Sequence, residues 1–193
     1  MERLLRRYGV ATLLTLALAC AHPSGTAEQG GLEAPPTSPA APAARTADVA
    51  SPDALLAATY DVISGPAGQP RDWDRFRSFF LPGARLIPTG PKEAGSGFAA
   101  HVYTVEEYIA RASPYFLKEG FFERESSRRM ERYGNILQAF STYESRHRPE
   151  DKPFARGINS FQLFFDGTRW WLVTIFWEAE TPETPIPGEF LPP

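Results

Sequence analysis

The chain has one cysteine, Cys20, in 193 residues, and few histidines or lysines: His22, His101, His147, Lys92, Lys118 and Lys152. A lone cysteine has no partner within the chain, so an intramolecular disulfide is excluded. No His-x-x-x-His or cysteine pair stands at metal-ligand spacing, and no metal site is expected. A Gly-x-Ser-x-Gly elbow is missing, and Gly95-x-Gly97 lacks the flanking strand and helix of a phosphate-cradling loop, so no cofactor is expected either. Positive charge is not in excess. The formal charge is −3, and removing Glu2, Arg3, Arg6 and Arg7 with the first twenty residues takes it to −5, which argues against nucleic-acid binding by a broad basic field. The one long apolar run, Val10 to Ala19, is too short to cross a hydrocarbon core of ~30 Å as a helix.

That run follows Arg3, Arg6 and Arg7 and precedes small residues, the pattern of a secretory signal over residues 1–20. Leu16-Ala17-Leu18-Ala19-Cys20 resembles a bacterial lipobox. The resemblance implies lipidation at Cys20, with acyl chains that each add ~0.8 kcal/mol of membrane affinity per buried methylene. The expected partner is then a membrane and the expected location the bacterial cell envelope. Ala21 stands where inner-membrane lipoproteins often carry aspartate, which favours the outer membrane. Ala17-x-Ala19 and Ala19-x-Ala21 equally satisfy the small-x-small rule of ordinary secretion, leaving a soluble periplasmic or secreted product as the alternative.

Residues 21–50 hold five prolines, with Leu32 and Val49 as the only large aliphatic side chains. So little apolar surface does not offset an ordering entropy of ~1–2 kcal/mol per residue, and a disordered tether with a reach of roughly 30 Å is expected. Residues 51–180 are read as one folded domain and residues 181–193 as a proline-rich tail.

Within the domain, Ser51-Pro52 predicts a helix start, and Leu55, Leu56, Thr59, Tyr60 and Ile63 share a face before Gly65-Pro66. Asp72 predicts the cap of a second helix carrying Trp73, Phe76, Phe79 and Phe80 at helical spacing, followed by a short strand from Ala84 to Pro88 and a loop from Thr89 to Gly97. Thr104-Val105-Glu106-Glu107 has capping-box spacing, and the helix it opens is expected to break or kink at Ser113-Pro114. After Gly120 the pattern is extended. Gly134-Asn135 and Asp166-Gly167 predict two hairpins of long strands, which implies a strongly curved antiparallel sheet with bulges.

This order of helices followed by long strands, with the ending Asp166-Gly167-x-x-Trp170-x-Leu172, resembles the nuclear-transport-factor-like superfamily that includes ketosteroid isomerase and the SnoaL polyketide cyclases. The resemblance implies an α+β fold: N-terminal helices packed in a strongly curved antiparallel sheet, a cone-shaped, cystatin-like roll with an open-ended pocket. It also implies a homodimer through the outer sheet face. With Tyr133 opposite Ile136, uniform alternation puts Phe122, Arg124, Ser126, Arg128 and Met130 on one face with Leu137, Ala139, Ser141 and Tyr143. Glu123, Glu125 and Glu144 fall on the other. Beyond Asp166, Trp170, Leu172 and Phe176 share the face of Phe161 and Leu163, while Trp171, Val173, Ile175 and Trp177 face away.

If Leu137, Ala139, Trp170 and Leu172 point inward, as the resemblance implies, then Tyr143, Arg128, Arg124, Asn159 and Glu178 are carried to the pocket or its rim. They are the candidate ligand-binding residues, with His101 added as a candidate near the third helix. Singly, each has a plainer reading: Arg124 and Arg128 as cross-strand ion pairs, Tyr143 as a core residue, Glu178 as a solvated strand end, His101 as a loop histidine. Isomerase chemistry needs a carboxylate base facing a tyrosine and a protonated acid, and this register does not bring such a trio together, so no catalytic residue is assigned. The expected function is a non-catalytic envelope lipoprotein domain that binds a small apolar or acidic ligand or assembles with a partner. The alternative is an isomerase, cyclase or dehydratase acting on a hydrophobic molecule. A third reading puts contact function on the outer face with Trp171, Ile175 and Trp177.

Overall fold

The computed structural model describes residues 41–192 except 93 and 95; the expected signal segment, Cys20 and most of the expected tether lie outside the described residues. The folded body begins ahead of Ser51. Helix α1, Thr46–Val49, puts Val49 into the core at 4% exposure. Helix α2, Pro52–Ile63, is capped by Ser51, whose hydroxyl accepts from the Ala54 amide at 3.1 Å. Helix α3 is only Trp73–Arg77, capped by Asp72. Phe79 and Phe80 leave the helix: Phe80 opens strand β1, Phe80–Pro91, opposite Leu172, and both rings are buried. Burial of two aromatic rings at the sheet outweighs their helical spacing.

Strand β1 runs on through Thr89 to Pro91, where a loop was expected, because β2, Phe98–Ala100, folds back and pairs Thr89 with Ala100. Helix α4, Val105–Glu119, has the full capping box: Thr104 Oγ1 accepts from the Glu107 amide, and Glu107 Oε2 accepts from the Thr104 amide at 2.8 Å. It continues past Pro114 to Glu119. Beyond the proline, Phe116 is buried and stacks on Phe121 at 4.3 Å and Trp73 at 6.2 Å, packing that offsets the ~3 kcal/mol an interior proline costs.

Strands β3 (Phe122–Tyr133), β4 (Ile136–Arg146), β5 (Ala155–Phe165) and β6 (Trp170–Ala179) complete one curled sheet of order β2-β1-β6-β5-β4-β3. Its pairings are antiparallel except β1 with β6, which run parallel. The helices lie against the inner face, so the fold is α+β. Tyr60 of α2, for example, meets Phe161 of β5 edge to face at 6.1 Å. Gly134-Asn135 makes the expected hairpin turn between Tyr133 and Ile136.

Two bulges decide which side chains face in. In β3, Ser127 pairs with Thr142 but Glu125 pairs with Tyr143, so Ser126 is an extra residue. In β6, Thr174 pairs with Gln162 but Leu172 pairs with Leu163, so Val173 is extra. An added residue exchanges the faces of everything beyond it. On unbulged β4, the row Leu137, Ala139, Ser141, Tyr143 and Ser145 faces inward without a break, each at 5% exposure or less. Past Ser126 the inward residues opposite that row are therefore Glu125 and Glu123, not Arg124. Past Val173 they are Ile175 and Trp177, not Phe176 and Glu178.

The C-terminal segment crosses the outer face of β3 and β4. Thr142 Oγ1 donates to the Phe190 carbonyl at 2.7 Å, Arg129 Nε donates to the Glu189 carbonyl at 2.9 Å, and the Phe190 ring sits 5.6 Å from Phe140. No helix among the described residues is long and apolar enough to cross a membrane.

Candidate functional site

Between the helices and the curled sheet lies a cavity of about 430 Å³. Its walls come mainly from rings and aliphatic groups, among them Phe116, Phe121, Phe161, Ile175 and Trp177. Helix α4 supplies one side as a single helical face, Tyr108, Arg111, Ala112, Tyr115 and Phe116, at the spacing three and four residues apart that helical geometry requires. A volume of this size with few polar groups is the common form of a small-molecule site, roughly 300–1,000 Å³.

The polar groups converge on Glu123. Its Oε2 accepts from Ser145 Oγ at 2.7 Å and its Oε1 from Asn159 Nδ2 at 3.4 Å, and the surface it retains is on the cavity wall. Burial pushes the Glu123 carboxyl up to about 7, against the downward pull of these two hydrogen bonds. Among the described residues no cation offsets that burial. The Tyr108 and Tyr143 hydroxyls have no hydrogen-bond partner among the described residues, and both rings line the cavity. Burial, and secondly the Glu123 charge, hold both phenols above their ordinary range.

A second row of polar side chains fixes the first. Ser141 Oγ donates to Glu125 Oε2, so its hydroxyl hydrogen is spent and Tyr60 OH donates to Ser141 Oγ at 2.6 Å. Tyr60 OH in turn accepts from Asn159 Nδ2 at 3.1 Å, and the other hydrogen of that amide points to Glu123. At the outer end, Arg128 Nε donates to Glu125 Oε1 at 2.9 Å and its other arm reaches Asp53 at 2.8 Å. The donors diverge from the Asn159 amide, one hydrogen toward Glu123 and the other through Tyr60 and Ser141 to Glu125, which leaves Glu123 accepting from protein and its remaining capacity turned to the cavity.

Of the six residues proposed from sequence, Tyr143 and Asn159 lie on the cavity wall. Arg128 is on the inner face but is spent on Glu125 and Asp53 under the start of α2. Arg124 points outward, two-thirds exposed, and pairs with Glu144 at 2.9 Å; the Ser126 bulge moved it off the inner face. Glu178 is on the outer face for the equivalent reason at Val173, and accepts from Thr89 Oγ1 at 3.1 Å. His101 is exposed, stacked beside Tyr103 at 6.2 Å, and is not on the wall. The residues sequence reasoning missed are Glu123, Tyr108 and Trp177. Tyr108 carried a signal, its place one turn into a capped amphipathic helix. Glu123 carried none, because its face is set by the bulge.

No protein-family model matches the chain, and no curated protein matches it in sequence. Solved structures do share its fold. One is a protein of unknown function with a cystatin-like fold from Nostoc punctiforme, 13% identical with a TM-score of 0.50 over 69% of this chain and 90% of that one. Another, from Thiobacillus denitrificans and assigned by inference to the calcium/calmodulin-dependent protein kinase type II association domains, is 12% identical with a TM-score of 0.51 over 68% and 96%. An NTF-2-like protein of unknown function from Silicibacter pomeroyi is matched at 16% identity and a TM-score of 0.46 over 68% and 94%. The chain thus has a cystatin-like fold: a curled sheet closed over helices around a cavity.

Proposed function

We propose that this domain binds a small, largely apolar molecule in the aromatic cavity, with a carbonyl or hydroxyl group of that molecule set against Glu123, Tyr108 and Tyr143. The observation that carries this reading is a carboxyl group kept inside an apolar cavity with no counter-cation among the described residues, beside two phenols that no described residue satisfies. Both hydroxyls keep surface open to the cavity and their hydrogen-bonding capacity is not used by a described residue, which suits a ligand with a polar group at that wall. The test is fluorescence titration with neutral phenylnaphthylamine, which brightens in an apolar site. The expected result is saturable binding that Ala112→Trp, a ring added on the cavity wall, removes. Saturable binding unchanged in that variant would place the probe elsewhere and refute the reading.

A second reading, proton-transfer catalysis on a carbonyl compound, is favoured by the near-neutral Glu123 carboxyl beside Tyr108 and Tyr143. Glu123 as carboxylate would take a proton from the carbon next to the carbonyl, the electron pair would move to the oxygen under a tyrosine hydroxyl, and the proton would return to the same or a conjugated carbon. Incubating a cyclic enone with the domain in heavy water is expected to load deuterium in the presence of the wild type and not of Glu123→Gln. Equal exchange with both leaves binding without catalysis.

The setting of the domain is part of the proposal. Lipidation at Cys20 would hold it at the bacterial envelope, outer membrane favoured, on a tether; loss of the mass of the acyl chains in Cys20→Ser is the check, and an unmodified thiol on the native protein the refutation. A homodimer would use the outer sheet face, where Phe140 and Phe176 remain 41% and 45% exposed beside the C-terminal segment. Light scattering on residues 41–193 that reports a monomer would refute it. Ile175 and Trp177, expected on that face from sequence, line the cavity and take no part in it.

A further inference from the structure

We infer that the ligand of this cavity is an amphipathic organic anion whose apolar body lies among the aromatic rings and whose anionic head sits at the rim on Arg111. The inference rests on the cavity being a binding site and names what it takes.

Arg111 lines the cavity and is also exposed, which places it at the rim. Its guanidinium lies over the Tyr103 ring at 4.7 Å from the centroid, and Tyr103 is itself part of the wall. The ring holds the planar cation in place without using any of its five donors. Other arginines of the body spend those donors: Arg75 on Asp48 and Asp61, Arg77 on Asp74 and Glu106, Arg146 on Glu144, Arg156 on Glu180, and Arg71 on backbone carbonyls. Arg111 has no hydrogen bond and no carboxylate partner among the described residues. The nearest carboxylate on its own helix, Glu107 one turn earlier, is committed to the amide and hydroxyl of Thr104 at 2.8 and 2.9 Å.

The inner end of the cavity is of the opposite kind. Glu123 would repel an anion brought against it and leaves room for a neutral hydrogen-bonding group. A molecule that satisfies both ends is therefore polar and neutral within, apolar through the middle, and negatively charged at the mouth. Carboxylates and phosphate monoesters share the chemistry that a guanidinium fork recognises.

The experiment compares two probes of nearly the same shape, anilinonaphthalene sulfonate and uncharged phenylnaphthylamine, titrated into the wild type, Arg111→Gln and Arg111→Lys. The wild type is expected to bind the sulfonate about fivefold to tenfold more tightly, the scale of one charge-assisted contact at a partly solvated site. Arg111→Gln is expected to equalise the two probes by weakening only the sulfonate, and Arg111→Lys to restore most of the preference. Raising salt should shrink it in the wild type. Equal affinities in the wild type, or a preference that survives in Arg111→Gln, would overturn the inference. Failure of the neutral probe to bind at all is a different result and overturns the cavity reading beneath it. Displacement of the sulfonate by naphthylacetate but not naphthyl phosphate assigns a carboxylic acid as the natural head group, and the reverse assigns a phosphate monoester. Displacement by neither overturns the inference.

Discussion

Replacing Glu123 with glutamine should make the protein more stable at alkaline pH, and the size of the gain follows from where the carboxyl sits. Burial raises its titration from 4.5, the ordinary value, to about 7 in the folded state. Below the lower value the group is neutral in both states and burial costs little. As pH rises from 4.5 toward 7 the unfolded chain ionises while the folded protein still holds the proton, so wild-type stability falls. Above about 7 the folded group ionises too and the loss levels off. A difference of this size at ~1.36 kcal/mol per unit amounts to about 3 kcal/mol. Glutamine is nearly the same shape, its oxygen still accepts from Asn159, and the Ser145 hydroxyl is free to turn. Urea denaturation of wild type and Glu123→Gln from pH 4 to pH 9 should therefore show the variant about equal at the acid end and more stable by up to about 3 kcal/mol at the alkaline end. A difference that does not change with pH, or one in which the wild type gains on the variant above pH 5, would refute the burial of this carboxyl. Carbon NMR of the Glu123 carboxyl gives the same answer directly, with a titration midpoint near 7 expected.

Three further outcomes follow from particular contacts. A Cβ on Gly157 would stand 2.5 Å from the Tyr143 hydroxyl oxygen and press on the Glu178 carbonyl, so Gly157→Ala should cost about 1–3 kcal/mol by thermal unfolding and shift the cavity wall; a neutral substitution would count against this cross-strand contact. Arg71 is 8% exposed and donates to the Ile63 carbonyl at 2.8 Å and to the carbonyls of Gly65, Pro66 and Gln69, so Arg71→Met should lose about 2–3 kcal/mol in urea unfolding by leaving these acceptors behind α2 without a donor. Deleting Ser126 removes the β3 bulge, which should turn Glu123 and Glu125 outward and abolish the near-neutral carboxyl titration, even where circular dichroism still reports a folded sheet.

The residues that start elements were readable one at a time. Ser51, Asp72 and the Thr104–Glu107 pair each carry an oxygen that satisfies a free helix amide a few residues ahead, and Gly134-Asn135 turns its hairpin through a glycine at φ 54°. These are interactions within a turn of chain, so composition and spacing determine them. The element order that resembles the nuclear-transport-factor-like fold follows from the same local signals. Elsewhere distant partners outweighed local preference: Phe80 opens β1 and Phe79 lies in the turn before it instead of in a helix, and α4 runs through Pro114 to bury Phe116 against Phe121 and Trp73.

The cavity chemistry was decided elsewhere. Strand faces alternate every residue, so one unpaired residue exchanges inside and outside for the rest of the strand. Ser126 and Val173 are such residues, and neither is a glycine or proline that would mark the place. The bulge at Ser126 sends Glu123 in and Arg124 out; the one at Val173 sends Trp177 in and Glu178 out. Only the closing of the sheet over its helices selects that register, because only then does the row from Leu137 to Ser145 meet the helices and require partners on its own side. Caps and turns were thus written in neighbouring residues, whereas the buried carboxyl came from pairing across the sheet.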